Sequence, residues 1–232
     1  MTKSNSTSIL TAKKAAGTAA AELVENGMLI GLGTGSTATF FIEALGKKCQ
    51  QGMKIKAAAT SQQSMDLAKK YGIPIIENAS IPLLDLTVDG ADEIDHEKNM
   101  IKGGGGALLR EKILAGSSKE MLVIVDETKW VKNLGAFPVP VEISTFAYQT
   151  TLLRLQNKGY QAAFRLDSFG KFYVTENNNF IIDIQFTAPI LNLHLENDRL
   201  KSVSGVLETG LFLNLAGRVI IGYHDGQTEI KQ

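Results

Sequence analysis

Among its 232 residues the sequence has one cysteine, Cys49. No intramolecular disulfide and no cysteine-rich zinc site can form, which suits a reducing compartment and marks Cys49 as a buried or idle thiol. Histidine is nearly as scarce. His96, His194 and His224 are scattered and make neither an H-x-x-x-H nor an H-E-x-x-H pattern, so zinc chemistry lacks its usual ligands. No Gly-x-Ser-x-Gly nucleophile elbow is present. Neither sign of charge is in excess: Lys plus Arg and Asp plus Glu each number 24. That balance leaves no electrostatic footprint for nucleic acid or an anionic membrane, so any anion site must be local. No stretch approaches the roughly 18 apolar residues of a membrane span, and Met1–Ser8 is polar, without the apolar run of a signal peptide. The expectation is a soluble, cytoplasmic protein that binds neither nucleic acid nor membrane.

What is present is enough for a real core. Hydrophobic residues make up 44% of the chain, and at this length folding removes on the order of 70% of the exposed surface. The length favours a main domain with a smaller companion. Ala12–Glu25 reads as a helix stopped by Gly27. Met28–Leu32 reads as a buried strand running through a glycine loop into a helix over Thr37–Leu45, with Ser36 as its N-cap. The alternation continues with a strand at Ile55–Ala59, a helix at Ser61–Tyr71, strands at Ile73–Ile76 and Leu83–Val88, a helix at Ala107–Ala115 and a strand at Met121–Val125. Such alternation implies an α/β, Rossmann-like parallel sheet with helices on both faces. After Pro138–Pro140 the pattern changes. A helix at Tyr148–Asn157, strands at Ala162–Leu166, Lys171–Val174 and Phe180–Phe186, and the turn Glu176–Asn179 indicate a small α+β domain. Arg218–Tyr223 reads as a further strand. The expected division is a main domain over 1–130 and 208–232 and a small domain over 131–207.

Three segments carry the chemistry. Gly31–Thr37 places three glycines and three hydroxyls where a strand becomes a helix, and a helix N-terminus offers free N–H donors and partial positive charge to a phosphate. A Walker A loop would need a lysine here. A Rossmann fingerprint would need glycine at Ser36 and a later acidic residue, where lysines stand instead. The same loop also suits a purely structural turn. The second segment, Val88–Asp95, holds Asp89, Asp92, Glu93 and Asp95 at the carboxyl end of a strand, where open α/β sheets place ligands. These acids suit a metal site, acceptors for sugar hydroxyls, or a solvated turn; Gly90, which lets a ligand approach the backbone, argues against the solvated turn. The third segment is Lys102, the four glycines 103–106 and a helix carrying Glu111. Four successive glycines cost conformational entropy that an idle loop has no reason to bear. Glu111 reads either as a base facing the glycine edge or as a surface residue of an Arg-Glu-Lys run. A base, a cation and hydrogen-bonding carboxylates are the parts needed to abstract a proton beside a carbonyl.

At Gly31–Ala38, Asp89–Ile94, Lys102–Lys112 and Phe137–Glu142 the sequence closely resembles the type A ribose-5-phosphate isomerase family, in the family's order and over essentially the whole chain. The resemblance implies an aldose-ketose isomerase interconverting ribose 5-phosphate and ribulose 5-phosphate without cofactor or metal, usually as a homodimer or homotetramer. By motif, Glu111 would be the base that moves the proton between C2 and C1 through a cis-enediolate. Asp89 would assist ring opening and proton traffic, Asp92 would hold sugar hydroxyls, and Lys102 would stabilise the developing oxyanion. Gly33, Thr34, Gly35, Ser36, Thr37 and Lys129 would bind substrate, as would Gly90, Ala91 and the loop glycines Gly103, Gly104 and Gly105. Lys13 is a further phosphate candidate. Two segments depart from the family pattern: Asn214 has no arginine beside it, and Leu191–Leu195 is less typical. The rival readings are an amino-sugar phosphate deaminase or CoA transferase on a similar fold, and a sugar-phosphate-sensing module. The deaminase wants a histidine near its base, and the sensor a basic DNA-reading domain.

Overall fold

A computed structural model of the chain describes residues 3–232; Met1 and Thr2, part of the polar N-terminal stretch, lie outside the described residues. The alanine-rich opening forms helix α1 (Lys3–Glu22), since alanine loses no side-chain entropy in a helix, and buried Ala16, Ala20 and Ala21 let it pack closely. Strand β1 (Leu29–Leu32) leads into α2 (Ser36–Gln50), then β2 (Lys56–Ala59), α3 (Gln62–Lys70) and β3 (Leu86–Asp89). Two short strands, β4 (Glu93–Ile94) and β5 (Met100–Ile101), precede α4 (Leu108–Gly116), β6 (Met121–Asp126) and a 3₁₀ turn at Glu127–Lys129. Next come β7 (Val139–Ile143), α5 (Tyr148–Asn157), β8 (Gln161–Phe164), β9 (Phe180–Gln185) and α6 (Leu193–Lys201). Strands β10 (Val206–Thr209), β11 (Leu211–Phe212), β12 (Ala216–Gly222) and β13 (Thr228–Lys231) complete the chain.

The chain divides into two compact units. The first holds the residues up to Ala91, Arg110–Trp130 and Leu215–Gln232. Its sheet runs β2-β1-β3-β6-β12-β13, parallel throughout except for the antiparallel edge pair β12 and β13. Alternate strand residues separate two apolar faces. Ile30, Leu32, Ala57, Ala59, Leu86 and Val88 pack with Phe41, Ile42 and Leu45 of α2 and Ala68 of α3. Ala58 and Leu84 pack instead with Leu114 of α4. Both faces of the sheet are therefore covered, as a parallel sheet requires. Strand β1 connects through α2 to β2 on one side and pairs with β3 on the other, so the winding reverses between β1 and β3. The carboxyl ends of those two strands form the switch point where open sheets take ligands.

The second unit comprises Asp92–Leu109 and Val131–Asn214. It contains an antiparallel sheet, β10-β7-β9-β8, and a small sheet, β11-β5-β4. Val139, Val141, Ile143, Ile182 and Ile184 pack with Leu155 of α5 and Leu200 of α6. Tyr148 meets Phe164, Phe172 and Phe180 edge to face at 5.1 to 5.7 Å.

The α/β class and the antiparallel second sheet agree with the sequence reading, and several elements differ in detail. Ile73–Ile76 is not a strand: Ile75 makes a single bridge to Ala57, and Pro74 has no N–H to extend the ladder. Lys171–Val174 likewise gives only bridges, Phe172 to Leu166 and Val174 to Phe180, because turns on both sides leave no room for a ladder. Gly35, at φ 105°, takes the N-cap expected of Ser36, and Ser36 becomes the first helical residue. That helix continues beyond Leu45 through Gly46, whose missing side chain makes room for the Tyr71 ring: a Cβ there would lie 2.3 Å from Tyr71 Cγ. Among the described residues no helix is long and apolar enough to cross a membrane.

Candidate active site

In the first unit the glycine loop and Asp89 are built around each other. Leu32 and Val88 are paired, so Gly33 follows β1 beside Asp89, the last residue of β3. Asp89 is buried, and its Oδ1 accepts the N–H of Thr34 at 3.0 Å and of Gly90 at 2.8 Å. Position 33 must be glycine, because a Cβ would lie 2.1 Å from Asp89 Oδ1. Ser64 donates to the Gly33 carbonyl at 2.6 Å, and the hydroxyls of Thr34 and Thr60 are 2.6 Å apart. The loop therefore presents the start of α2, with Gly35 and Ser36 exposed and Thr37 tucked under. Lys13 on α1 brings a cation there, its Nζ donating to Ser36 Oγ at 2.9 Å. Lys129 is half-buried at the end of the 3₁₀ turn after β6, on the same carboxyl edge of the parallel sheet. Backbone N–H groups, hydroxyls and the Lys13 ammonium at a helix N-terminus are the equipment for a phosphate dianion.

Glu111 also belongs to the first unit, in the opening turn of α4, and only 3% of it is exposed. The surface reading of the Arg-Glu-Lys run is thus excluded for this residue. The helix N-terminus favours a negative charge there.

The second unit holds Asp92, Lys102 and the loop glycines. Lys102 follows β5, is 3% exposed, and has its backbone N–H bonded to the Gly210 carbonyl at 2.9 Å. Its ammonium lies 5.4 Å from the centre of the Phe212 ring. Asp92 Oδ2 accepts the Gly104 N–H at 2.7 Å. The acidic segment is not a shared ion site. Glu93 accepts the N–H of Gly135 at 2.8 Å and of Phe137 at 2.7 Å, while Asp95 accepts those of Glu97 and Asn99. Each of these two carboxylates is taken up by backbone N–H groups, distant in sequence for Glu93 and neighbouring for Asp95. Among the described residues no group of three or more His, Cys, Asp or Glu is placed to hold a metal ion.

The remaining polar candidates stand apart. His96, His194 and His224 are all exposed. His224 Nδ1 lies 2.9 Å from Glu127 Oε1, a pairing that raises the imidazole pKa and lowers that of the carboxyl. Burial pushes the Cys49 thiol up, which keeps it in the unreactive form. Several supporting residues were not found from the sequence: Thr60, Ser64, Arg165, Tyr173 and Phe212. The loop and lysine groups they contact, Thr34, Gly33, Gly103, Gly105 and Lys102, lie 26 to 110 positions away, so no local spacing marks them.

The chain matches one family. The family described as ribose 5-phosphate isomerase A (phosphoriboisomerase A) matches residues 56–226. The chain is 56% identical over 230 residues to the ribose-5-phosphate isomerase A of Protochlamydia amoebophila, covering 99% of both. Its structure resembles the ribose 5-phosphate isomerase of Plasmodium falciparum with a TM-score of 0.89 at 38% identity, covering 95% of this chain and 97% of the other. It also resembles a D-ribose-5-phosphate isomerase solved in complex with phospho-erythronic acid, with a TM-score of 0.89 at 37% identity and the same coverage. With glycine loop, buried acids and lysine all standing in a chain matched along its whole length, the protein belongs to the ribose 5-phosphate isomerase A family.

Proposed function

We propose that the chain interconverts ribose 5-phosphate and ribulose 5-phosphate, with Glu111 as the general base and no metal or nucleotide. The observation that carries this reading is the burial of Glu111 in the first turn of α4, in a chain of this family. A carboxylate held away from bulk water can take a carbon-bound proton without a hydration shell to displace.

The Gly33–Thr37 loop, Lys13 and Lys129 anchor the phosphate. Asp89 assists opening of the furanose ring and passes protons between the sugar oxygens. Glu111 removes the C2 proton; the C2 electron pair forms the C1=C2 bond and the carbonyl π pair moves onto O1, giving a cis-enediolate. Lys102 stabilises that charge as it develops, the step at which a preorganised cation contributes most. The proton returns from Glu111 to C1, O1 is protonated, and loss of the O2 proton leaves the ketone at C2. Asp92 and the backbone of Gly90, Ala91 and Gly103–Gly105 hold the sugar hydroxyls. Phospho-erythronic acid, the ligand of the related isomerase, fits this picture, because its planar carboxylate carries negative charge where the enediolate would.

In the same reading the protein works in the cytoplasm as a homodimer or homotetramer. Phe146 and Phe169, each 85% exposed, and Leu191, 97% exposed, give the second unit apolar surface that a further copy can cover. Light scattering should therefore give two or four times 25.1 kDa.

The test of the reaction is conversion of ribose 5-phosphate by purified protein in chelator, wild type beside Glu111→Gln, with both shown folded by circular dichroism. Wild-type turnover with a loss of at least about a hundredfold in the mutant is expected. No wild-type turnover in chelator, or an undiminished mutant, refutes the reading.

A further inference from the structure

The roles assigned above leave one largely buried cation in the second unit without a task. Arg165, just after β8, divides its donors between two sets of acceptors. Nε donates to Asp183 Oδ2 at 2.9 Å and Nη2 to Asp183 Oδ1, a two-pronged pair. Nη1 donates to the carbonyls of Gly103 at 2.8 Å and Gly104 at 3.1 Å. The ring of Tyr173 lies 6.0 Å from the guanidinium carbon, and its hydroxyl donates to the Gly105 carbonyl at 3.2 Å. Three consecutive carbonyls of the glycine loop thus hang on two side chains 61 to 68 positions away.

The consequence follows from peptide planarity. In a trans peptide the N–H points opposite to the C=O of the same plane. With the Gly103 carbonyl turned to Arg165, the Gly104 N–H must point away from it, and it ends on Asp92 Oδ2. With the Gly104 carbonyl held by the same nitrogen, the Gly105 N–H points away from Arg165 as well. Side chains could not replace the glycines here. A Cβ on Gly104 would lie 2.5 Å from Asp92 Oδ1, and one on Gly106 would lie 2.3 Å from the Tyr173 hydroxyl oxygen. A run of four glycines has wide conformational freedom, and it works as a rigid surface only when something outside it fixes the peptide planes.

We propose that Arg165, oriented by Asp183, is a positioning residue for isomerisation: it fixes the Gly103–Gly105 peptides so that Asp92 and the Gly105 N–H face the reacting sugar carbons. The inference rests on the reading of Lys102, Asp92 and the glycine loop as substrate-handling groups. Arginine is required rather than lysine, because a point ammonium cannot hold a carboxylate by two bonds and two carbonyls together. Tyr173 complements the clamp, since burial raises its pKa and keeps the hydroxyl a donor.

The experiment is steady-state kinetics with ribose 5-phosphate on full-length Arg165→Lys, Asp183→Asn and the double variant, beside wild type and Glu111→Gln, with a thermal melt of each. Both single variants should lose about ten- to a hundredfold in kcat, the effect of a misplacement near 1 Å. KM should stay within about threefold, because the phosphate is anchored on the first unit's loop, and the double variant should be no worse than the poorer single, since the two residues act as one unit. Asp183→Asn serves as the test if Arg165→Lys does not fold. A wild-type kcat in the folded variants, a loss confined to KM, or a loss that vanishes on assay well below the melting temperature overturns the clamp. A dead Glu111→Gln beside a fully active Arg165→Lys removes only the clamp; an active Glu111→Gln removes the site reading beneath it.

Discussion

Gly33 and Asp89 compete for the same space, and the protein resolves this by giving position 33 no side chain. Gly33→Ala would force the Asp89 carboxylate away from the N–H groups of Thr34 and Gly90, which it now binds. Overpacking of this kind costs roughly 1 to 3 kcal/mol, and the displaced carboxylate should lower kcat at least about tenfold. A thermal melt and a rate on the same sample check both; a variant with unchanged melting and rate would mean Asp89 is not held where it acts. At this scale the sequence was legible in residue type and less so in environment. The glycines, Asp89, Lys102 and Glu111 stood out by spacing and family pattern. That Glu111 is buried could not be read from an Arg-Glu-Lys triplet, because burial is decided by what packs over the helix. Nor could the division of the acids be seen: Glu93 is tied to backbone 42 and 44 positions away.

Among the elements, α3 shows how a helix cap reaches the glycine loop after β1. Ser61 caps it by accepting the Ser64 N–H at 3.2 Å, and the Ser64 hydroxyl in turn holds the Gly33 carbonyl. Ser61→Ala should cost about 1 kcal/mol, read as a melting temperature lower by about 2 to 4 °C. A melt equal to wild type would show that the cap bond contributes nothing. Elements with a full period of apolar residues were legible: β1, α2, β6 and α5 lie where the pattern placed them within a few residues. The failures share a cause. Strands β4, β5 and β11 have two residues each, too few for any period, and they exist because β11 and β4 both pair with β5. The failed strand at Ile73–Ile76 had the right composition but contains Pro74, and α6, with Leu193, Leu195 and Leu200 among charges, has too sparse an apolar stripe to announce itself.

For the whole molecule, the division of labour between two units follows the path of the chain. It leaves the first unit after Ala91, two residues past Asp89, contributes Asp92, Lys102 and the glycine loop to the second, and returns at Arg110, one residue before Glu111. Along the sequence the candidate groups therefore cluster near the boundaries of this division, and a single stretch of about twenty residues carries most of them. This concentration is why a candidate site could be read from one sequence, whereas Arg165 and Asp183, which reach the glycine loop only through folding, could not. Proton transfer by Glu111 is the central claim, and solvent exchange tests it most directly. Ribose 5-phosphate incubated with the protein in D₂O for many turnovers, followed by proton NMR, should lose its C2 proton signal and yield ribulose 5-phosphate carrying deuterium at C1, with neither change under folded Glu111→Gln. Deuterium that still enters either sugar at the wild-type rate under folded Glu111→Gln would mean that another group moves the proton, and would contradict the account.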